Sequence, residues 1–475
     1  MMRVLSVASE CAPLVKTGGL ADVAGALPAA LAPLDVDMRV LLPGYPQVVS
    51  YLTDHRQIAR LDALQGGPAE ILSAELAGLR VFVLHAPHLF DRDGGIYLGP
   101  DGTDWPDNPQ RFAALARAGA EIARGLLPGW APDLVHCHDW QAGLVPYYLK
   151  KSGIDVASIL TIHNIAFQGL AAADLMEPLE LDPADFTSEG FEYWGHVSFL
   201  KAGLVWADGI STVSPTYAHE LMLPEFGMGL DGLMRHRADD LHGILNGIDE
   251  TAWNPAQNDH AISYRTERGK ARATTALRRE LGLPDNDGTL AVVISRLTEQ
   301  KGLDLLIEAL PDFLDRGGQI ALLGTGEARI ERAWRDAAAT HESVAVRIGY
   351  DEILSHKMIA GGQAIIVPSR FEPCGLTQLY GLRYGTIPVV AHTGGLADTV
   401  IDANDAALKT GVATGLSFMP GSRDSLAHAL RRLVVLRGNR DTWSRMVRNA
   451  MRHPVGWGES AEQYLDLYRS VVRPL

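Results

Sequence analysis

Residues 4–31 read VLSVASECAPLVKTGGLADVAGALPAAL, and the pattern within them decides the fold class. Val4-Leu5-Ser6-Val7-Ala8 is a short apolar run, the signature of a buried strand. From Leu20 the apolar positions Leu20, Val23, Ala24, Leu27 and Leu31 fall at helical spacing. Between strand and helix stands the turn Lys16-Thr17-Gly18-Gly19. Strand, glycine turn and helix in immediate succession form the repeating unit of parallel α/β sheets. A helix N-terminus carries free N–H groups and the positive end of the macrodipole, and adjacent glycines let an anion approach the backbone. Lys16 adds a full charge there. The turn is not a Walker A loop, because no Gly-Lys-Ser/Thr closes it, and it lacks the Gly-x-Gly-x-x-Gly spacing. Taken alone it also suits an ordinary βα turn with a solvated lysine.

The pattern recurs along the chain. Strands are predicted at 3–8, 36–42, 79–85, 133–137, 156–162 and 209–213, with helices near 110–126 and 140–151. It restarts with Leu290-Ala291-Val292-Val293-Ile294 and continues at 319–323, 344–348, 364–367 and 387–391. Two Rossmann-like domains in series account for this alternation. The polar stretch 253–288, with Pro255 and Pro284, separates them and places the boundary near 247–260. We therefore expect an N-terminal domain over 1–247 and a C-terminal domain over 248–455. Residues 456–475, apolar and charged at helical spacing, are expected to form a helix that packs back on the first domain. Segment 86–109 is a long polar loop, a length often tied to function.

At 475 residues the chain exceeds one ordinary core. Its 42 Lys and Arg stand against 57 Asp and Glu, and a net charge of −15 argues against nucleic acid as the main partner. Any bound phosphate should be small and locally compensated. The start shows no secretory pattern, and no apolar stretch reaches membrane-spanning length. Cys11, Cys137 and Cys374 are unclustered and offer no zinc spacing, which suits a reducing compartment. The expectation is a cytoplasmic protein, without a membrane or a nucleic-acid partner.

In open α/β sheets ligands bind beyond the carboxyl ends of the strands, so polar residues directly after a strand carry most weight. Glu10 follows the first strand. His136, His138 and Asp139 follow Leu134-Val135, and His163 and Asn164 follow Ile159-Leu160-Thr161-Ile162. In the second half, Arg296 and Lys301 flank the turn between the 290–294 strand and its helix, where a diphosphate would gain charge-assisted hydrogen bonds. Ile365-Ile366-Val367 leads into Pro368-Ser369-Arg370-Phe371-Glu372-Pro373-Cys374-Gly375-Leu376-Thr377. Glu372 can accept from sugar hydroxyls, and the N–H groups of Gly375, Leu376 and Thr377 suit phosphate. Gly324-Thr325-Gly326 is a lone Gly-x-Gly without a role of its own. Glu10, Asp22, Asp139 and Glu372 could also pair for glycoside hydrolysis, a reading that their separation in space decides.

Ten ordered blocks, read together, resemble the bacterial glycogen and starch synthases, glucosyltransferases of the GT-B architecture. They are KTGGLADVAGALP (16–28), DWPDNPQRF (104–112), HCHDWQAGL (136–144), TIHNIAFQG (161–169), FLKAGL (199–204), STVSPTYA (211–218), GILNGID (243–249), SRLTEQKGLDL (295–305), PSRFEPCGLTQLYGLRYGTIPVV (368–390) and TGGLADTV (393–400). The resemblance implies two Rossmann-like domains whose parallel sheets face a deep inter-domain cleft. It implies transfer of glucose from ADP-glucose to the non-reducing end of an α-1,4-glucan such as glycogen, with retention, and no metal or prosthetic group. By motif, Arg296 and Lys301 would stabilise the leaving diphosphate, with Lys16 and the Gly18-Gly19 backbone adding to it. Glu372 would hold hydroxyls of the donor glucose. Asp139 and Asn246 would line the sugar pocket, His163 would lie beside the anomeric carbon, and Asn164 and Cys374 would be among the substrate-binding residues. Tyr350 would stack on adenine, and Tyr97 could touch the nucleoside. One departure is Tyr380, which stands where many related enzymes carry a second carboxylate, eight positions after the first.

Competing readings are another retaining GT-B glucosyltransferase that uses UDP-glucose or a small acceptor, a pyridoxal-dependent glucan phosphorylase, and a non-catalytic glucan-binding regulator. Intact Lys16, Arg296, Lys301 and Glu372 argue against the last. Oligomeric state is not readable from these residues.

Overall fold

Apolar runs become the central strands of two sheets, as expected for chains buried on both faces. In the computed structural model, which describes residues 1–472, the first twelve strands are β1 (Met2–Val7), β2 (Val36–Pro43), β3 (His55–Leu64), β4 (Gly67–Leu76), β5 (Leu79–His85), β6 (Leu134–His138), β7 (Ala157–Ile162), β8 (Leu170–Ala171), β9 (Glu192–Tyr193), β10 (His196–Ser198), β11 (Gly209–Thr212) and β12 (Leu241–Gly243). Nine of them form one sheet in the order β12-β11-β7-β6-β1-β2-β5-β4-β3, and β8, β10 and β9 form a small separate sheet. From β12 to β5 every pairing is parallel, while β4 and β3 add an antiparallel edge.

The second sheet contains β13 (Leu290–Ile294), β14 (Gln319–Gly324), β15 (Val344–Ile348), β16 (Ala364–Val367), β17 (Ile387–Ala391) and β18 (Leu416–Phe418). Its order, β15-β14-β13-β16-β17-β18, is all parallel and is the 3-2-1-4-5-6 arrangement of a doubly wound Rossmann sheet. The chain divides into two compact units: Met1–Asn246 with the segment from Trp457 onward, and Gly247–Gly456.

The helix Gly458–Val471 belongs to the first unit. Its Tyr464, Leu465, Leu467 and Tyr468 pack in one cluster with Val23, Leu27 and Leu31 of the helix Gly19–Leu31. Each large side chain fully buried in this way stabilises by about 1.5–3 kcal/mol, so several kcal/mol hold this helix down. The end of the expected C-terminal helix, residues 473–475, lies outside the described residues.

The long 86–109 segment is a built loop. A buried guanidinium, Arg111, donates to the carbonyls of Leu89 and Ile96 and to Asn108 Oδ1. Arg92 forms a two-pronged pair with Asp107 at 2.8 Å and lies over the Trp105 ring. These contacts bring Tyr97 back to the end of β1.

Both sheets reverse direction beside their first strand, between β1 and β6 in one unit and between β13 and β16 in the other. Neighbouring crossovers diverge at such a point, which opens a crevice beyond the strand ends.

Candidate active site

At the first switch point the end of β1 and the turn before the Gly19–Leu31 helix are tied together by Glu10. Its carboxylate accepts from the Thr17 N–H at 2.5 Å, the Gly18 N–H at 3.2 Å and the Thr17 hydroxyl at 2.9 Å. The Tyr97 hydroxyl donates to the same carboxylate at 3.2 Å and lies 2.7 Å from Ser9 Oγ. Two N–H groups that an incoming anion would use are therefore taken by an internal one. Among the described residues no group accepts from the N–H of Gly19 or Leu20, so the helix start keeps donors of its own. A Cβ built on Gly18 meets nothing within 4 Å, so the approach to the turn is open. Lys16 is held by Asp22 at 2.7 Å and stays partly exposed. The Tyr97 hydroxyl, whose ring could touch a nucleoside, is engaged by Ser9 and Glu10.

Beyond β6 and β7 lies a polar cluster, buried at His136 and His138 and partly open at His163 and Asn164. Asp139 sits at φ 53°, a conformation that costs a non-glycine residue about 1–2 kcal/mol. The strain places its carboxylate on the neighbouring strand end, where it accepts from the His163 N–H at 2.6 Å and more weakly from the Asn164 N–H at 3.4 Å. Burial raises the Asp139 carboxyl to about 7, against the lowering effect of those two N–H groups. His138 joins Ser6 Oγ at 3.1 Å to His163 Nε2 at 3.0 Å, and the His136 ring lies 4.2 Å from that of His138. His136 in turn contacts Thr161 Oγ1 at 2.6 Å and the Tyr468 hydroxyl at 2.8 Å. Burial depresses all three imidazoles, His138 to about 3, so the three rings are neutral at about pH 7. Asn246 is buried with an amide oxygen that no described residue satisfies, which leaves an acceptor available to a ligand.

In the second unit, Lys301 and Glu372 lie 71 residues apart in the chain and 2.5 Å apart in space. Ser369 Oγ donates to the same Glu372 oxygen at 2.8 Å. The loops that carry them are bolted together by Arg370, which donates to the Glu299 carbonyl at 2.6 Å and pairs with both oxygens of Asp304 at 2.9 and 2.7 Å. Glycine makes this packing possible. Gly302 has φ 65°, and a Cβ there would stand 2.0 Å from the Pro368 carbonyl oxygen; at Gly394 (φ 44°) it would stand 1.9 Å from that of Glu372. Gly375, Leu376 and Thr377 lead into the helix Thr377–Tyr384, and Cys374 is buried beneath them. Arg296 is exposed at the end of β13.

Tyr350, 79% exposed, stands just after β15 over a cavity of about 350 Å³ lined also by Leu281, Leu323, Arg347, Ile353 and Lys357. An exposed ring beside a cavity can take a flat heterocycle. Tyr380 stacks on Trp253 at 3.8 Å and 18°, and Trp253 stacks on His356 at 3.9 Å and 5°. The residue in place of the second carboxylate is thus part of an aromatic pile.

Sequence reasoning found most of these residues and missed some that hold them. Ser369 and Gly394 lie inside quoted motifs but received no role, because what they do depends on a partner distant in sequence. Ser6 looked like one polar residue in a strand; only its register beside His136 brings it near the histidines.

Two doubly wound sheets, each with cation-bearing turns at its switch point, are the architecture of the GT-B glycosyltransferases. Comparison with known proteins narrows the class. Residues 3–236 match the starch synthase catalytic domain and residues 274–451 the glycosyl transferases group 1 family. The chain is 60% identical over 473 residues to a glycogen synthase of Paracoccus denitrificans, covering 99% of this chain and 100% of that one. It is 54% identical over 473 residues to a glycogen synthase of Jannaschia sp., covering 100% of both. Among solved structures, the catalytic domain of starch synthase IV from Arabidopsis thaliana, bound to ADP and acarbose, matches with a TM-score of 0.89 and 32% identity over 99% of each chain. Sucrose-phosphate synthase from Thermosynechococcus elongatus, at 18% identity and a TM-score of 0.61 over 99% of each chain, shares the fold. The chain belongs to the glycogen and starch synthase family of hexosyltransferases.

Proposed function

We propose that this chain elongates glycogen, moving glucose from ADP-glucose to the non-reducing 4-hydroxyl of an α-1,4-glucan with retention at the anomeric carbon. The observation that carries the reading is the Lys301–Glu372 pair at the switch point of the second sheet. One spot there offers a cation for a diphosphate and a carboxylate for sugar hydroxyls, the two chemistries of a nucleotide sugar. The Tyr350 cavity opens beyond β15, three strands from β16 on the same sheet edge. At about 4.8 Å per strand this is roughly 14 Å, a span suited to a nucleoside diphosphate with adenine at one end and the sugar at the other.

Charge builds on the diphosphate as its bond to the anomeric carbon breaks. Lys301 and Arg296 then act mainly on the transition state, because cations already fixed in place need no reorganisation. Glu372, oriented by Ser369, holds the glucose ring. In the first unit, which we assign to the glucan, Asp139, His163, Asn164 and Asn246 line the sugar site. Lys16 and the open turn at Gly18-Gly19 add positive potential for phosphate. Gly375, Leu376 and Thr377 offer N–H groups to the donor phosphates, above buried Cys374. No helix of the described residues is long and apolar enough to cross a membrane, and we place the activity in the cytoplasm.

The test is nucleoside diphosphate release by purified protein given glycogen with ADP-glucose or UDP-glucose, with a control lacking glycogen. Glycogen-dependent ADP release, with UDP-glucose far poorer, is expected. A UDP preference, or release that ignores glycogen, would overturn the donor or the acceptor.

A further inference from the structure

We infer that Ser6 and His138 are positioning residues that fix the tautomer of His163, so that its Nδ1 carries the proton and faces the substrate as a hydrogen-bond donor. The inference rests on the proposed placement of His163 in the sugar site. The chain of contacts itself is Ser6 Oγ to His138 Nε2 at 3.1 Å, then His138 Nδ1 to His163 Nε2 at 3.0 Å. Ser6 and His138 are both 0% exposed.

Both imidazoles are neutral, so each has one N–H and one lone pair. Only two proton arrangements satisfy the His138–His163 contact. In the first, His163 Nε2–H donates to His138 Nδ1, and His138 Nε2–H donates to Ser6 Oγ. The Ser6 hydroxyl proton is then stranded, because Ser6 Oγ has no other partner among the described residues. In the second, Ser6 O–H donates to His138 Nε2, His138 Nδ1–H donates to His163 Nε2, and the His163 proton rests on Nδ1. The fully buried donors of Ser6 and His138 are then both satisfied, and the remaining one, His163 Nδ1–H, sits on a partly exposed ring. A buried donor left without an acceptor disfavours the first arrangement on the order of tenfold or more.

The surroundings keep the relay in register. The His136 ring, 4.2 Å from that of His138, is itself anchored by Thr161 and Tyr468. Asp139 holds the His163 main chain through its N–H. His163 Nδ1 has no partner among the described residues. With its lone pair engaged by His138, His163 can donate to a sugar oxygen but cannot take a proton from an acceptor hydroxyl. It orients substrate and is not a general base.

The experiment is NMR of the imidazole nitrogens in protein labelled with 15N-histidine, the His163 signals being those lost in His163→Asn. The expected spectrum has Nδ1 protonated and Nε2 bare. A protonated Nε2, or an even average of the two forms, would overturn the inference in the parent protein alone. In His138→Phe nothing engages His163 Nε2, so the two nitrogens of His163 should share the proton. Turnover should then fall about tenfold with little change in KM, and an unchanged spectrum would remove His138 from the role. The spectrum needs no substrate, so failure of the relay is distinguishable from failure of the glucosyltransfer reading, which would show as absent glycogen-dependent ADP release by the parent.

Discussion

Gly394→Ala tests how tightly the second unit's site depends on backbone contact. At φ 44° an alanine costs about 1–2 kcal/mol of conformational strain. The added Cβ would stand 1.9 Å from the Glu372 carbonyl oxygen, and real Cβ atoms essentially never come closer than 3.0 Å. The difference, 3.0 − 1.9 = 1.1 Å, is the least displacement the two segments must share. Gly395 allows little relief, since its own Cβ position is 2.4 Å from the Cys374 carbonyl oxygen. The movement therefore falls on the segment that carries Glu372. Misplacing a catalytic group by about 1 Å can cost about 100-fold, or about 2.7 kcal/mol of transition-state stabilisation. We expect kcat/KM for ADP-glucose, measured by glycogen-dependent ADP release, to fall at least about 100-fold. The melting temperature should fall by only roughly 5 °C. A folded variant within about threefold of the parent rate would refute the placement of Glu372 at the reacting centre.

Gly18→Ala is the complementary case: its φ of −152° suits any residue and its Cβ meets nothing within 4 Å, so the thermal melt should stay put. If phosphate approaches this turn, KM for ADP-glucose should rise severalfold, and an unchanged KM would remove the turn from the donor site. Lys301→Ala and Glu372→Ala should each lower kcat by about 100-fold or more with the fold retained by circular dichroism; near-parental turnover in either would remove that residue from the chemistry. Asp304 is held below the usual carboxylate range by Arg370, so its contribution to stability is complete above the unfolded aspartate pKa and disappears as pH falls through the folded value. Asp304→Asn should accordingly cost about 1 kcal/mol in urea melts at pH 7, with the gap to the parent closing below about pH 4; a gap independent of pH would contradict this.

The central strands of both sheets were legible because each is a continuous apolar run, as in Leu290–Ile294. The β3–β4 hairpin was not, since an edge strand such as His55–Leu64 is largely exposed and carries no apolar run. β8, β9 and β10 are two or three residues long, too short to show a period. At the candidate site, residue types after strand ends pointed to Glu10, His163, Lys301 and Glu372. What they could not reveal was pairing. Glu10 looked available to a ligand, yet it caps the turn beside it. Lys301 and Glu372 were read as separate contacts, though they touch each other. Tyr97 lay in a segment whose anchor, Arg111, is recognisable only once the carbonyls it satisfies are in place.

The chain leaves the first unit after Asn246 and re-enters it at Trp457, so the second unit is an uninterrupted insertion within the first. On a ribosome, the helix Gly19–Leu31 emerges long before the helix that covers it. The 456 − 246 = 210 residues between exit and return take roughly 10–40 s at about 5–20 residues per second. At the end of that interval the second unit has all of its sequence and can fold, while the first still exposes Val23, Leu27 and Leu31, and His136 lacks its tyrosine. A polypeptide released after Gly395 but before Trp457 would carry every residue of the candidate site and still be left with an open, aggregation-prone first unit. Placing the closing helix last makes synthesis through that point a condition for solubility.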